Sequence, residues 1–147
     1  MLGKAAGLRV WVTSRSEEKR AYARSLGAAE TFPAGARLPS RVDAVMDSVG
    51  QATWPHSLKA LRKGGTMVVP GGTSGYDAHA DVSRIFSMNL HIVGSAMGSI
   101  DQMRSLLAFC ELPAPPADRP GAAADSRLGG LRSDGRGNAS GKVVITI

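Results

Sequence analysis

Four short runs of glycine, serine and charged residues could bind an anionic or hydrogen-bonding ligand. Each follows a stretch typical of a strand, so each is expected to begin the loop after that strand. In a parallel α/β sheet, ligands bind beyond the carboxyl ends of the strands, so these runs would share one edge. They are Thr13-Ser14-Arg15-Ser16, Ser48-Val49-Gly50, Gly71-Gly72-Thr73-Ser74-Gly75 and Gly94-Ser95-Ala96-Met97-Gly98.

The first run carries a guanidinium group and hydroxyls at the start of an expected helix. In dinucleotide-binding folds, this position meets the adenine ribose. A carboxylate there binds the 2′-hydroxyl of NAD, whereas arginine and serine suit the 2′-phosphate of NADP. In the alternative interpretation, Ser16 only caps the helix and Arg15 is a solvated charge. Spacing alone leaves both interpretations open.

The other three runs are rich in glycine, which lets the backbone approach a ligand closely. Successive N–H groups in such a loop can bind an amide or phosphate oxygen. A flexible connection without a ligand explains the same composition. A G-x-G-x-x-G fingerprint at a strand-to-helix turn does not occur in the chain.

Strands of four to eight residues alternate with helices along the first three quarters of the chain, which indicates βαβ units and a parallel sheet. The expected helix after the first run begins at the N-cap Ser16 and stops at Gly27, and the pair Gly64-Gly65 is expected to end the next helix. We expect strands at 8–13, 42–49, 66–69 and 90–94, a short extended piece near Thr31, and helices at 17–26, 53–61, 82–88 and 100–110.

Residues 112–141 have a different character. They contain four prolines, six glycines, six alanines and four arginines, and no aromatic or β-branched residue. Such a segment buries too little apolar surface to offset its ordering entropy, so it is either a disordered linker or GC-rich DNA translated out of frame. The last six residues, 142–147, return to a strand-like composition. We therefore expect a double frameshift, with Met1 an internal start of a longer gene.

Composition excludes several classes of protein. The net charge of +6 is spread along the chain with interleaved acids and only 5% aromatic residues, so we expect no nucleic-acid partner. The single cysteine, Cys110, excludes a disulfide framework, and with three histidines of unsuitable spacing we expect no metal site. Without an 18-residue apolar run or a signal peptide, the expected location is the cytoplasm, away from membranes.

The combination of sequence blocks resembles the cofactor-binding half of medium-chain zinc-type alcohol dehydrogenases and quinone oxidoreductases. The blocks are GKAAGLRVWVTSRSEEKRAYARSLGAAETF, VDAVMDSVGQATWPHSLKALRKGGTMVVPGGTSG and I-F-x-x-N-L-x-I-V-G-S-A-M-G-S, with a closing GKVVITI. The resemblance covers residues 1–111, a partial dinucleotide-binding domain, plus the terminal strand. It implies an incomplete doubly wound, Rossmann-like parallel sheet that lacks its first strand, the glycine loop and the catalytic domain.

The resemblance also implies a cofactor, NADP, and a place for each run along it. Ser14, Arg15 and Lys19 would hold the 2′-phosphate, and Ser48, Val49 and Gly50 would lie along the ribose and pyrophosphate. The remaining residues would lie near the nicotinamide and its ribose; they are Gly71, Gly72, Thr73, Gly94, Ser95 and Met97. No catalytic residue can be named from what is present.

Three functional hypotheses remain. The first is the NADP-binding half of an enzyme that transfers hydride to a carbonyl, enone or quinone substrate and is inactive alone. The second is a non-catalytic nucleotide-binding module that needs a partner chain for its missing strand. The third, from charge alone, is a basic interaction protein. Homodimerisation through the edge strand 90–94 is also expected.

Overall fold

The structure, a computed structural model, describes residues 1–111, so the predictions for 112–141 and 142–147 lie outside the described residues. Helices and parallel strands alternate, as expected for an α/β protein. The helices are α1 (Leu2–Ala5), α2 (Glu17–Ser25), α3 (Trp54–Ala60), α4 (Val82–Ser87) and α5 (Ile100–Glu111). The strands are β1 (Trp11–Ser14), β2 (Glu30–Pro33), β3 (Val42–Met46), β4 (Leu61–Val69) and β5 (His91–Gly94).

The strands form two parallel sheets. One has the order β1-β2 and the other the order β3-β4-β5. A doubly wound sheet has the strand order 3-2-1-4-5-6, in which the first strand is central. Removing that strand leaves a pair on one side and a triplet on the other, which is the observed arrangement. The Rossmann-like α/β prediction is confirmed, and β1 and β3 are edge strands in the described part of the chain.

Strand β1 is shorter than expected because its single partner is short. The prediction began it at Leu8, but pairing starts where Trp11 lies opposite Glu30, the first residue of β2. The indole of Trp11 meets the ring of Phe32 edge-on, with 5.4 Å between centroids. The guanidinium carbon of Arg9 lies 5.1 Å from the centre of the Trp11 ring.

Helix α2 begins and ends where the sequence places it. The Ser16 hydroxyl oxygen accepts a hydrogen bond from the backbone N–H of Lys19 at 3.3 Å, as an N-cap does. Gly27 follows the helix with a φ of 92°, the left-handed conformation that glycine adopts most easily.

The prediction that Gly64-Gly65 ends α3 is wrong. The helix ends at Ala60, and both glycines belong to β4, which begins at Leu61 with a register shift opposite β3. Two distant arginines supply donors to the last helical turn. Arg41 donates to the carbonyl oxygens of Lys59 and Leu61, at 2.8 and 3.1 Å, and Arg84 donates to that of Leu58 at 2.9 Å.

The core lies against the three-stranded sheet. Leu58, Leu61, Met67 and Leu90 are buried there, with partly buried residues from α3, α4 and the strands around them. Before position 42, by contrast, the structure places no buried side chain. Within residues 1–111, no helix is long and apolar enough to cross a membrane.

Candidate ligand site at the strand ends

Asp47 ends β3 and turns the chain into the loop that follows. Its backbone N–H still donates to Val68 of β4 at 2.9 Å. Its side-chain Oδ1 then accepts from the N–H groups of Val49 and Gly50, at 2.9 and 3.0 Å. This capture of the amides two and three residues ahead is an Asx turn, and it ends the strand at Met46 rather than at the expected Val49.

The second carboxylate oxygen of Asp47 contacts helix α3. Oδ2 accepts from the hydroxyl of Ser57 at 2.5 Å, and the Thr53 hydroxyl lies 2.8 Å from both carboxylate oxygens. Asp47 and Ser57 are both buried. Burial raises the pKa of Asp47, but the hydrogen bonds from Ser57, Gly50, Thr53 and Val49 outweigh it, and the pKa lies below its ordinary value.

The β3–α3 loop (residues 47–53) is joined to the β4–α4 loop (residues 70–81). The N–H groups of Thr73 and Ser74 donate to the carbonyl oxygens of Ser48 and Val49, at 3.3 and 2.8 Å. The Ser74 hydroxyl accepts from the N–H of Ala52 at 2.9 Å and donates to the Val49 carbonyl oxygen at 2.7 Å. The two loops therefore form one continuous surface.

Glycine is required where the two loops touch. Gly50 has a φ of 87°, and a Cβ added to it would lie 2.6 Å from the carbonyl oxygen of Gly75 and 2.8 Å from the Cα of Gly72. A side chain at this position would separate the loops. The glycines therefore allow the two loops to approach each other closely, and they would also allow a ligand to approach the backbone.

Several amides of the joined loops already have acceptors within the protein. Val49, Gly50, Thr73 and Ser74 donate as described. The N–H groups of Gln51 and Gly75 donate to the carbonyl oxygens of Gly75 and Gly72. In this conformation these six amides are not available to bind a phosphate or amide oxygen.

The end of β5 lies beside the end of β4. Gly94 is in register with Val69, and the N–H of Ser95 donates to the Val69 carbonyl oxygen at 3.1 Å. A Cβ on Gly94 would meet nothing within 4 Å. The side chain of Met97 is 97% exposed.

The end of β1 presents positive charge. Arg15 and Lys19 are exposed, and no carboxylate within residues 1–111 pairs with Arg15. The nearby Glu17 is held by Arg24 and Arg20, each 2.6 Å away, and their hydrogen bonds lower its pKa. The guanidinium of Arg20 also donates to the carbonyl oxygen of Ser14.

The structure brings together most of the residues expected at the site. Ser48, Val49 and Gly50 contact the run that begins at Gly71, and Ser95 is bonded to the neighbouring strand end. Ser14 ends β1 of the other sheet, Arg15 follows it, and Lys19 lies in α2. Sequence reasoning missed Asp47, Thr53 and Ser57, and it named Ser74 only as a member of the run that begins at Gly71. The signal for the first was an aspartate three residues before a glycine, which is typical of an Asx turn.

A parallel α/β fold whose ligand edge lies at the strand ends is typical of nucleotide-binding proteins. A family model described as zinc-binding dehydrogenase matches residues 1–111. The zinc-type alcohol dehydrogenase-like protein YogA of Leptosphaeria maculans is 30% identical over 123 residues, which cover 74% of this chain and 34% of that protein.

Solved structures share the fold. An NAD-dependent alcohol dehydrogenase matches with a TM-score of 0.82 and 26% identity, over 99% of this chain and 46% of its own. A variant of the crotonyl-CoA carboxylase/reductase AntE in complex with NADP matches with a TM-score of 0.86, over 99% of this chain and 45% of its own. Its 18% identity supports the fold alone.

The chain belongs to the zinc-binding dehydrogenase family. It spans about one third of the length of the curated relative. The family name implies zinc, but residues 1–111 contain no group of three or more histidine, cysteine, aspartate or glutamate side chains that could hold a metal ion. The described residues therefore do not fit a zinc ion.

Proposed function

We propose that this chain is the NADP(H)-binding part of a medium-chain dehydrogenase or reductase, whose reaction moves a hydride between the nicotinamide and a carbonyl, enone or quinone. The observation that carries the proposal is the end of β1, where Arg15 is exposed at the start of α2 and no acid precedes it in the loop. When bound, the cofactor supplies the hydride, and the protein binds and orients it.

The choice of NADP over NAD rests on charge at that strand end. The fold accommodates both cofactors, since one solved relative is an NAD-dependent enzyme and another was crystallised with NADP. NAD recognition uses a carboxylate on the 2′-hydroxyl, whereas a guanidinium binds a 2′-phosphate by charge-assisted hydrogen bonds. Glu17 does not offer that carboxylate because two arginines hold it. Ser14, Arg15 and Lys19 are the proposed phosphate ligands.

The other strand ends would receive the rest of the cofactor. We assign Ser48, Val49 and Gly50 to its ribose and pyrophosphate path, and the runs that begin at Gly71 and Gly94 to the nicotinamide and its ribose. The exposed Gly94 and the free space around it suit a flat ring close to the backbone. Because the amides of Val49, Gly50 and Thr73 are occupied, these three residues would contact the cofactor through Cα surface, carbonyl oxygens and side chains.

A second candidate function has its own observation. The divided sheet leaves β1 and β3 as edge strands within residues 1–111. A strand from a partner chain could pair with both, which would make this chain a nucleotide-binding module without catalysis. Turnover of NADPH by a full-length enzyme that contains this chain would separate the first candidate from this one, whereas nucleotide binding is common to both. The cytoplasm remains the proposed location.

The test is a titration of the purified chain with NADPH and NADH, by calorimetry or nicotinamide fluorescence. We expect tighter binding of NADPH. Arg15→Ala should weaken NADPH binding about tenfold or more, because a hydrogen bond to a charged group contributes about 1.5–3 kcal/mol. The same substitution should leave NADH binding unchanged, and Arg104→Ala, an exposed position on α5, is the control.

Equal affinity for the two cofactors would contradict the NADP assignment. The same samples, mixed with NADPH and a panel of quinones, enones and aldehydes, should show no saturable oxidation of NADPH by the chain alone. Saturable turnover would contradict the proposal that this chain is inactive without the remainder of the enzyme.

A further inference from the structure

The Asp47 carboxylate contacts two separate parts of the protein with its two oxygens. Oδ1 accepts from the amides of Val49 and Gly50, which belong to the proposed ligand loop. Oδ2 accepts from Ser57, which lies inside helix α3. The side chain itself is only 4% exposed, so it cannot contact a ligand directly.

We propose that Asp47 is a positioning residue, which fixes the β3–α3 loop in its ligand-binding conformation before any ligand is present. The inference rests on the proposed function, because the ligand in question is the nicotinamide cofactor.

Two observations support this role. The amides of Val49 and Gly50 are turned inward toward the carboxylate, and this sets the direction in which the Val49 side chain and the carbonyl oxygens of the loop point. The Val49 carbonyl oxygen in turn accepts both the N–H and the hydroxyl of Ser74. Through these two hydrogen bonds, the loop conformation set by Asp47 also fixes the position of Ser74 in the β4–α4 loop.

A second consequence concerns which ligand groups the loop accepts. The amides of Val49 and Gly50 already donate to the Asp47 carboxylate, which is negatively charged. An anionic ligand oxygen is therefore disfavoured at these two residues. Within the ribose and pyrophosphate path assigned to this loop, the uncharged ribose hydroxyls therefore suit Val49 and Gly50 better than the phosphate oxygens do.

Because the two carboxylate oxygens bond to different groups, a matched set of variants can remove their contacts separately. Asp47→Ala removes both sets of contacts. Asp47→Asn keeps an oxygen for the two amides and places an NH₂ group opposite the hydroxyls of Ser57 and Thr53, which can accept its hydrogen bonds. Ser57→Ala removes only the contact to the helix.

We expect Asp47→Ala to weaken NADPH binding about tenfold or more, since two amides lose their acceptor and the loop its conformation. Asp47→Asn should restore most of the affinity. Ser57→Ala should lower thermal stability and leave NADPH affinity within about twofold of the wild type, because its hydrogen bond does not reach the loop. Equal losses of affinity in Asp47→Ala and Ser57→Ala would overturn the proposal.

A second measurement needs no variant, and it tests the inference if Asp47→Ala does not fold. Amide hydrogen exchange followed by NMR should show Val49 and Gly50 protected in the free wild-type protein. Protection that arises only after NADPH is added would overturn the inference. If the wild type binds neither NADPH nor NADH, the proposed function fails, whereas the exchange of these two amides still shows whether Asp47 holds the loop.

Discussion

Asp47 and Glu17 are both carboxylates whose pKa is lowered by hydrogen bonds, but they act in different surroundings. Glu17 is exposed and held by two arginines on the surface, where ion pairs contribute little to stability. Asp47 is buried, and its partners are hydroxyls and amides, of which those of Ser57 and Gly50 are also buried. Asp47 is therefore the carboxylate on which stability depends.

The stability contributed by Asp47 should depend on pH. Since the pKa is lower in the folded than in the unfolded chain, the contribution is complete above the ordinary carboxyl value of 3.8 and is lost as the pH falls through the folded value. At pH 7, Asp47→Asn should lower the free energy of unfolding by about 1–2 kcal/mol, because hydrogen bonds to a charged group are stronger than those to a neutral one.

Urea unfolding of the wild type and Asp47→Asn between pH 7 and pH 3 measures this difference. The gap between the two proteins should close as the solution becomes acidic. Asp43→Asn is the control, because Asp43 is exposed and paired only with Arg62, so the difference should stay small at every pH. A gap for Asp47→Asn that stays constant into acid would contradict the prediction.

The exposed cationic residues expected at the site could be found from the sequence, whereas Asp47 and the hydroxyl groups that bond to it could not. Arg15 and the N-cap Ser16 are recognised by position, because they follow a strand and open a helix. The bond from Ser57 to Asp47 spans ten residues and forms only when α3 packs against the end of β3. The fold, and not local spacing, brings that hydroxyl to the carboxylate.

At the scale of elements, the contact between the two loops depends on Gly50. Gly50→Ala should lower the free energy of unfolding by about 2 kcal/mol, since a residue with a Cβ is strained at a positive φ and here meets the Gly75 carbonyl oxygen. Gly94→Ala is the matched control, with open space around the new methyl group, and should change stability by less than about 0.5 kcal/mol. Chemical denaturation of both variants makes the comparison, and equal effects would contradict it.

The order and type of the elements followed from hydrophobic pattern and turn residues, whereas several boundaries did not, and the one between α3 and β4 differs most. A glycine pair after a helix is usually a stop signal. Here Arg41 and Arg84 satisfy the last carbonyl oxygens of α3, so the chain can enter β4 at Leu61 and carry the glycines inside the strand. A helix cap supplied by residues about 18 and 26 positions away is invisible to local rules.

For the whole molecule, the resembling fold predicts the division of the sheet, since its central strand has no counterpart among residues 1–111. We also expect β5 to be the strand through which two copies of the chain associate, since every residue of that strand is exposed within the described structure. Its apolar side chains, Ile92 and Val93, are 36% and 47% exposed. An edge of this kind can pair with a copy of itself about a two-fold axis.

Ile92→Lys should therefore shift the chain to the monomer in sedimentation velocity, because a charge on the edge strand opposes pairing. Val82→Lys adds the same charge at an exposed apolar position on α4 and should leave the oligomer distribution unchanged. If both variants behave like the wild type, the edge of β5 is not the interface.

The divided sheet also separates the molecule into two parts that should differ in their free energy of local unfolding. The side chains that form the buried core all lie at position 42 or later, whereas the half that contains β1, α2 and β2 has none that is fully buried. Regions with few buried contacts open first, at a lower free-energy cost than global unfolding. Arg15 and Lys19 lie on this weaker half. The measured affinity for a 2′-phosphate would then be lower than the intrinsic affinity, in proportion to the fraction of molecules in which that half is folded. Cofactor binding and local folding are therefore thermodynamically linked.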